Sequence, residues 1–248
     1  MTYIFRCAVV TGGNKGIGFE ICRQLASSGI SVVLTARDVT KGLEALEKFK
    51  TSFGLSNVVF YQLDLTNPIS LPSLAESIRS HFGKLDILVN NAGVLGAITD
   101  EAGFMVMLQA LEAMVAPEED QNKEKPNLKQ VITETYELAE ECVQTNYFGV
   151  KSVTKALIPL LQLSNSPRIV NVTSTMGMLK FVSNANALEI LSDGDGLKEE
   201  SVDEMTNICF NSGVSTTAEA AERIVNLALV PDDGPTGLYF SNGEVTPF

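Results

Sequence analysis

The chain has 248 residues, of which 45% are hydrophobic and 19% charged, a balance that suits one globular domain with a sizeable core and excludes global disorder. Eighteen basic residues against thirty acidic ones leave a net charge of -12, a field that repels nucleic-acid phosphates and anionic bilayers, so neither is an expected partner. Four scattered cysteines (Cys7, Cys22, Cys142 and Cys209) and one histidine (His81) give no metal knuckle and no metal site, and they fit a reducing, cytoplasmic setting.

Cys7–Thr11 is a short β-branched run that enters glycines, the pattern of a buried parallel strand before a tight turn. Residues 17–28 place Ile17, Ile21 and Leu25 at helical spacing, and Gly29 stops the helix. A strand at 31–36, a helix near 40–53, a strand at 58–64, a helix near 70–82 and a strand at 86–92 continue the alternation. Residues 94–133 read as an insertion with one short helix, 134–161 as one long helix ending near Pro159, and 168–174 as a fifth strand. Beyond Gly177 an acidic loop, a helix near 197–205, a helix at 215–229 capped by Ser215 or Thr216, a turn at 232–235 and a last strand at 238–240 are expected. The fold class is therefore α/β: a Rossmann-like doubly wound parallel sheet with helices on both faces, in a single domain over 1–248. No apolar run long enough to span a bilayer occurs, and the N-terminus leads directly into the first strand.

The negative charge is concentrated. Residues 112–141 hold nine acids and three bases, residues 189–204 seven acids and one base, and the remainder is balanced. The expected picture is a neutral body with two acidic insertions, at about 94–133 and 178–205, whose surfaces confer solubility.

Thr11-Gly12-Gly13-Asn14-Lys15-Gly16-Ile17-Gly18 lies between the first strand and the first helix. Backbone N–H groups and the helix dipole there favour a pyrophosphate, and the strand-turn-helix setting makes a merely structural turn the weaker alternative. A P-loop does not fit, because Lys15 precedes Gly16 and no Gly-Lys-Ser/Thr follows. The second strand ends at Ala36-Arg37, where a ribose-binding acid would otherwise stand. A guanidinium suits bidentate contact with a 2′-phosphate, and Lys15 adds positive charge, so NADP(H) is expected over NAD(H). Asp38 weighs against this, through a surface ion pair with Arg37.

Together with Asp64-Leu65 after the third strand, Asn90-Asn91-Ala92-Gly93 after the fourth and the 169–174 run IVNVTS on the fifth, this turn resembles the short-chain dehydrogenase/reductase family. The likeness is greatest to its plant monomeric carbonyl-reductase branch. The resemblance implies that Gly12, Asn14, Lys15, Gly16, Ile17 and Gly18 shape the pyrophosphate turn and that Asp64 and Leu65 border the adenine. It also implies that Asn91, Ala92 and Gly93 border the adenosine ribose and phosphates, Asn146 is the catalytic asparagine, and Ser174 bonds the substrate oxygen. The implied activity is NADPH-dependent reduction of a small lipophilic ketone or enone by a monomer. Such chemistry needs a donor for the alkoxide oxygen and a proton source near neutral pKa.

One part of the family pattern is missing. Its proton source is a tyrosine followed four residues later by a lysine, on the helix after the serine strand. After Ser174 the one tyrosine here is Tyr239, and neither Tyr-x-x-x-Lys nor Pro-Gly follows. Tyr147 and Lys151 have the right spacing but precede Ser174, and they read as core and surface positions of the long helix. One helix and one strand, roughly 40–60 residues, are thus expected to be absent before the C-terminal part. The last strand is then expected to lack its neighbour, with an apolar sheet face uncovered and stability marginal. The alternative function is a catalytically impaired NADP(H)-binding protein, a truncated or spliced family member.

Overall fold

A computed structural model describes residues 6–67, 69–115, 131–174, 185–192, 217–231, 237–238, 240–241 and 244–245. They fall into two compact units: Met1–Gly93, Thr145–Val172 and Ser215–Pro247 form the first, Val94–Gln144 and Thr173–Val214 the bulk of the second.

The first unit is built on five parallel strands: β1 (Cys7–Val10), β2 (Ser31–Ala36), β3 (Val58–Gln62), β4 (Ile87–Asn90) and β5 (Arg168–Asn171). Their order is β3-β2-β1-β4-β5. Because strand side chains alternate between faces, Ala8 and Val10 turn one way and Cys7 and Val9 the other, all fully or almost fully buried. The Ala8 face carries Ile21 and Leu25 of α1 (Gly16–Ser27), Ala45 and Phe49 of α2 (Val39–Phe53), and Ala221, Val225 and Ala228 of a later helix, Thr217–Ala228. The Val9 face carries Leu71, Leu74 and Ile78 of α3 (Ser70–Phe82), together with Val153, Leu157 and Leu160 of the helix Val150–Leu161. The doubly wound sheet expected from the alternating pattern is the observed one.

Local chemistry sets the element ends. Asp38 caps α2 by accepting from the Lys41 N–H at 3.0 Å. Gly54 and Gly83 end α2 and α3 in the left-handed conformation, at φ 65° and 74°. Gly42 is placed by contact: a Cβ there would run into the Phe60 ring of β3. Gly42→Ala is therefore expected to cost about 1–3 kcal/mol. Thermal denaturation checks this, and an unchanged Tm would show that the ring swings aside freely.

At the N-terminal edge of the sheet, Asp86 is 2% exposed. Its carboxylate accepts from the Cys7 N–H at 2.8 Å, Lys84 Nζ at 2.5 Å and Ser164 Oγ at 2.5 Å. One side chain thus joins the starts of β1 and β4 to the turn before β5. Burial alone would raise its pKa, but the hydrogen bonds from Lys84, Ser164 and Cys7 and the Lys84 charge outweigh it and leave the pKa below the usual 3.8. Burial and the Asp86 charge push the neighbouring Cys7 thiol up to about 12.

The second unit holds α4 (Glu101–Val115), a fifteen-residue helix in the described part of the first insertion, where one short helix was expected, and α5 (Tyr136–Val143), capped by Thr135. An isolated antiparallel bridge joins Ile98 to Thr133. A helix at Ala185–Ser192, numbered α7, stands where an acidic loop was expected. Eight residues inside an acidic surrounding gave too little periodicity to reveal it.

Three further expectations are corrected. The stretch 134–161 is not one α-helix: α5 passes into a π-helical segment, Gln144–Gly149, and then α6, Val150–Leu161, which runs two residues past Pro159. Strands β1, β3, β4 and β5 end one to three residues early, at Val10, Gln62, Asn90 and Asn171. The strand expected at 238–240 is β6 (Phe240–Ser241), which among the described residues lies outside the main sheet and pairs antiparallel with β7 (Glu244–Val245). Helix α8 (Thr217–Ala228) matches the expected 215–229 segment. The cap at Ser215 or Thr216, the helix near 197–205 and the turn at 232–235 lie outside the described residues.

Among the described residues β5 is an edge strand of the main sheet. Beside it lies an open apolar groove of about 230 Å³, lined by Ile158, Leu161, Gln162, Pro167 and Ile169. Ile158 and Ile169 are 39% and 44% exposed.

Candidate cofactor-binding site

The glycine turn leaves β1 where the strand order reverses, between β2 and β4, the position at which open parallel sheets bind their ligands. Gly12 and Gly16 take positive φ, 66° and 56°. A Cβ on Gly12 would approach Ala92 Cα to 3.0 Å, whereas one on Gly16 would meet nothing within 4 Å. Gly18 is the tightest position, since a Cβ would strike the Gly12 carbonyl oxygen and Asn91 Nδ2. The loop can therefore wrap close to α1, with open space at its mouth. No side chain caps α1 at Lys15, and no acid stands in its first turn, so its first N–H groups face a ligand position without an internal anion.

Thr11 organises this turn, a role not assigned to it from sequence. Its N–H donates to Val89 O at 3.0 Å. Its Oγ1 accepts from the N–H groups of Asn91 and Ala92, both at 2.9 Å. Asn91 Nδ2 donates to the carbonyls of Thr11 at 2.9 Å and Gly12 at 3.3 Å. Asn91 and Ala92 thus brace the turn from the end of β4, and only a hydroxyl ending β1 could have signalled it. Beneath the loop, a Cβ on Gly13 would come 2.9 Å from the buried Cys22 Sγ, whose pKa is raised by burial.

On the β2 side, Arg37 is exposed at the strand end. Gln62 Nε2 donates to its carbonyl at 3.1 Å. Asp38 caps α2 through Oδ1, and its Oδ2 lies 3.9 Å from Lys41 Nζ. Lys15 and Gly16 are exposed, and Asn14 and Ile17 half-buried. Asp64 Oδ1 accepts from Thr66 N–H at 3.0 Å and Thr66 Oγ1 at 2.7 Å, shaping the loop after β3. The Leu65 side chain is 9% exposed and packs in the core, leaving its backbone to border a base.

Asn146 sits in the π-helical segment, and its Oδ1 would lie 3.3 Å from a Cβ on the exposed Gly93. The wider π turn places this amide beside the end of β4. Asn90, 2% exposed, donates to Thr154 Oγ1 at 3.1 Å and Asn171 Oδ1 at 2.8 Å, tying β4, α6 and β5 together behind it. Tyr147 is 38% exposed and makes an edge contact with Phe148, with ring centres 5.0 Å apart. Ser174, half-buried, follows β5 by three residues and belongs to the second unit. The first unit therefore gathers Gly12, Gly18, Asn91 and Ala92 at one point, and Gly93 with Asn146 next to it.

The sheet order, the glycine turn at its switch point and the uncapped helix behind it define a dinucleotide-binding α/β protein. Residues 6–116 match the short chain dehydrogenase family. The chain is 48% identical to a salutaridine reductase of Papaver somniferum, over 98% of this chain and 96% of that protein. It is 33% identical to a rat carbonyl reductase [NADPH] 1, over 78% of this chain and 57% of that protein. It resembles the solved menthone neomenthol reductase of Mentha piperita with a TM-score of 0.82 and 38% identity, covering 97% of this chain and 99% of that one. The chain belongs to the short-chain dehydrogenase/reductase family of oxidoreductases. The salutaridine reductase match runs over 306 aligned positions against 248 residues here, so at least 58 positions have no counterpart in this chain.

Proposed function

We propose that the chain is an NADP(H)-dependent reductase of a small lipophilic ketone or enone, acting as a cytoplasmic monomer and as one domain over 1–248 with two insertions. The observation that carries the reading is the glycine turn: Gly18 packed on Gly12 and Asn91, with uncapped α1 N–H groups behind it. These residues fit a pyrophosphate, with Gly12, Asn14, Lys15, Gly16 and Ile17 around it. Asp64, Leu65, Asn91, Ala92 and Gly93 would hold the adenosine half, and Arg37 with Lys15 the extra 2′-phosphate. A bound nicotinamide cofactor would supply hydride-transfer chemistry to the substrate. Ser174 would donate a hydrogen bond to the substrate oxygen, and Asn146 would orient polar groups beside Gly93. The names of the salutaridine, menthone and NADPH carbonyl reductase relatives support the cofactor and substrate class. Among the described residues no helix is long and apolar enough to cross a membrane.

Arg37→Ala is expected to lower NADPH affinity roughly 10- to 100-fold, on the scale of lost charge-assisted hydrogen bonds, and to leave NADH affinity unchanged. Equal affinities for the two coenzymes in the parent chain would remove the 2′-phosphate assignment.

A second reading is favoured by a specific observation. No Tyr-x-x-x-Lys follows Ser174, so no side chain of that kind protonates the alkoxide, a contribution typically worth ~10²–10⁴-fold. The right-handed crossover rule would lay the next helix of such a sheet beside α6, where the Ile158–Ile169 groove is open. On this reading the chain binds NADP(H) without efficient turnover. Incubation with NADPH and a panel of cyclic ketones and enones separates the two: binding with oxidation supports the reductase, binding without oxidation the impaired form.

A further inference from the structure

Helix α6 lies on the Val9 face of the sheet through Val153, Leu157 and Leu160, all fully buried. Apolar packing of this kind is non-directional, and polar bonds add the restraint on where the helix stands along its axis. Near the end of α6 the Leu160 carbonyl accepts from the Leu85 N–H at 3.1 Å. In its first half, the half-buried Thr154 accepts through Oγ1 from Asn90 Nδ2 at 3.1 Å. Asn90 ends β4. Its Nδ2 makes a second bond to Asn171 Oδ1 at 2.8 Å, and its buried Oδ1 has no hydrogen-bond partner among the described residues. The orientation of this amide therefore rests on its nitrogen alone. Thr154 and Asn146 stand eight residues apart on one helical run, about two turns or roughly 12 Å along the axis. Both face the end of β4, Thr154 at Asn90 and Asn146 beside Gly93. Asn146 lies in the π-helical segment, Gln144–Gly149. Such a segment is the less regular part of a helical run, and its position follows the α-helix to which it is joined.

We infer that Thr154 is a positioning residue for the site: its bond to Asn90 sets the height of α6 against β4 and thereby holds Asn146 beside Gly93. What Asn146 then does rests on the reductase reading above; where it stands does not. Without the Thr154 hydroxyl, one hydrogen of Asn90 Nδ2 loses its acceptor in the same buried amide whose Oδ1 is already unpartnered, and an unmade hydrogen bond in such a place is costly. The amide can turn, or α6 can slide along β4 to offer another acceptor. A turned amide gives up the bond to Asn171 and loosens the end of β4 that leads to Gly93, and a displaced α6 carries Asn146 with it. Either way the approach of Asn146 to Gly93 changes, although neither residue touches the substituted side chain's hydroxyl.

The test compares Thr154→Val, which keeps the shape and removes the hydroxyl, with Thr154→Ser, which keeps the hydroxyl. Amide signals of Asn146 are followed by NMR in the coenzyme-free protein, and NADPH and 2′,5′-ADP are titrated by calorimetry. In the valine variant the backbone and side-chain amide signals of Asn146 should shift, and in the serine variant they should stay with the parent's. NADPH affinity should fall roughly tenfold in the valine variant, on the scale of one lost buried hydrogen bond. The affinity for 2′,5′-ADP, which lacks the nicotinamide half, should stay close to the parent's. Should the valine variant fail to fold, Thr154→Ala removes the same bond without a new methyl group against Asn90, and the same shifts are expected. A lower Tm with Asn146 signals unmoved would show a merely structural threonine and overturn the inference. Equal losses for NADPH and 2′,5′-ADP, or a serine variant as altered as the valine one, also overturn it. A parent that binds neither ligand counts against the reductase reading, while the Asn146 signals, read without coenzyme, still decide the role of Thr154.

Discussion

Replacing Gly18 by alanine is expected to lower NADPH affinity roughly 10- to 100-fold, the scale of 1–3 kcal/mol of overpacking. The added Cβ would occupy the space of the Gly12 carbonyl oxygen and Asn91 Nδ2. Relief requires α1 to move from the turn or the turn to move from β4, and either motion would spread the N–H groups proposed to hold the phosphates. Gly16→Ala is the control. Its Cβ would meet nothing within 4 Å, so the cost is confined to a left-handed φ of 56°, about 1–2 kcal/mol and mainly in stability. Coenzyme titration with a parallel Tm measurement separates the two effects. Equal losses of affinity in both variants would show that backbone conformation, and not the Gly18 contact, shapes the site.

The second large effect is expected in stability. Asp86→Ala removes a buried carboxylate from three donors and leaves the Cys7 N–H and Ser164 hydroxyl without it. The cost should be about 3–5 kcal/mol, as for breaking other buried charge pairs, and should appear in denaturant unfolding. The pH dependence has a definite sign. The folded-state pKa of Asp86 lies below the ordinary 3.8, so its contribution is fully present above that value and is lost as the pH falls through the depressed one. Asp86→Asn should therefore unfold at a pH less sensitive to acid below about 3.8 than the parent. A parent whose stability is flat from pH 5 to pH 2.5 would contradict the assignment.

Much of the fold was legible because the buried strands are continuous apolar runs and the helices between them carry regular apolar spacing. Where the reading failed, polar residues at strand ends had taken on other tasks. The Thr11 hydroxyl and the N–H groups of Asn91 and Ala92 bond one another beneath the glycine turn, and Asp64 turns to form the loop at Thr66. Residues 172–174 likewise follow β5 instead of extending it. The π-helical segment was invisible for another reason. Thr145 and Gly149 are buried within it, and packing of such positions, which propensity does not encode, decides whether a turn widens. The glycine turn was readable because its backbone demands leave few residue choices. The bracing by Thr11 was not, since a threonine ending a β-branched strand looks like strand.

The site residues divide in the same way. Gly12, Gly18, Asn91, Ala92 and Gly93 gather around the end of β1, and Asn146 stands next to Gly93. Arg37 reaches the surface at the end of β2, beside Asp38, which caps α2. The acidic segments that hold the net charge lie largely outside the unit that carries the turn, which leaves that unit close to neutral toward an anionic ligand.

The most direct measurement is a calorimetric titration of the folded chain with NADPH, with 2′,5′-ADP as competitor. Saturable one-to-one binding, displaced by 2′,5′-ADP and much weaker with NADH, is the predicted result. A folded sample that takes up neither coenzyme would contradict the account.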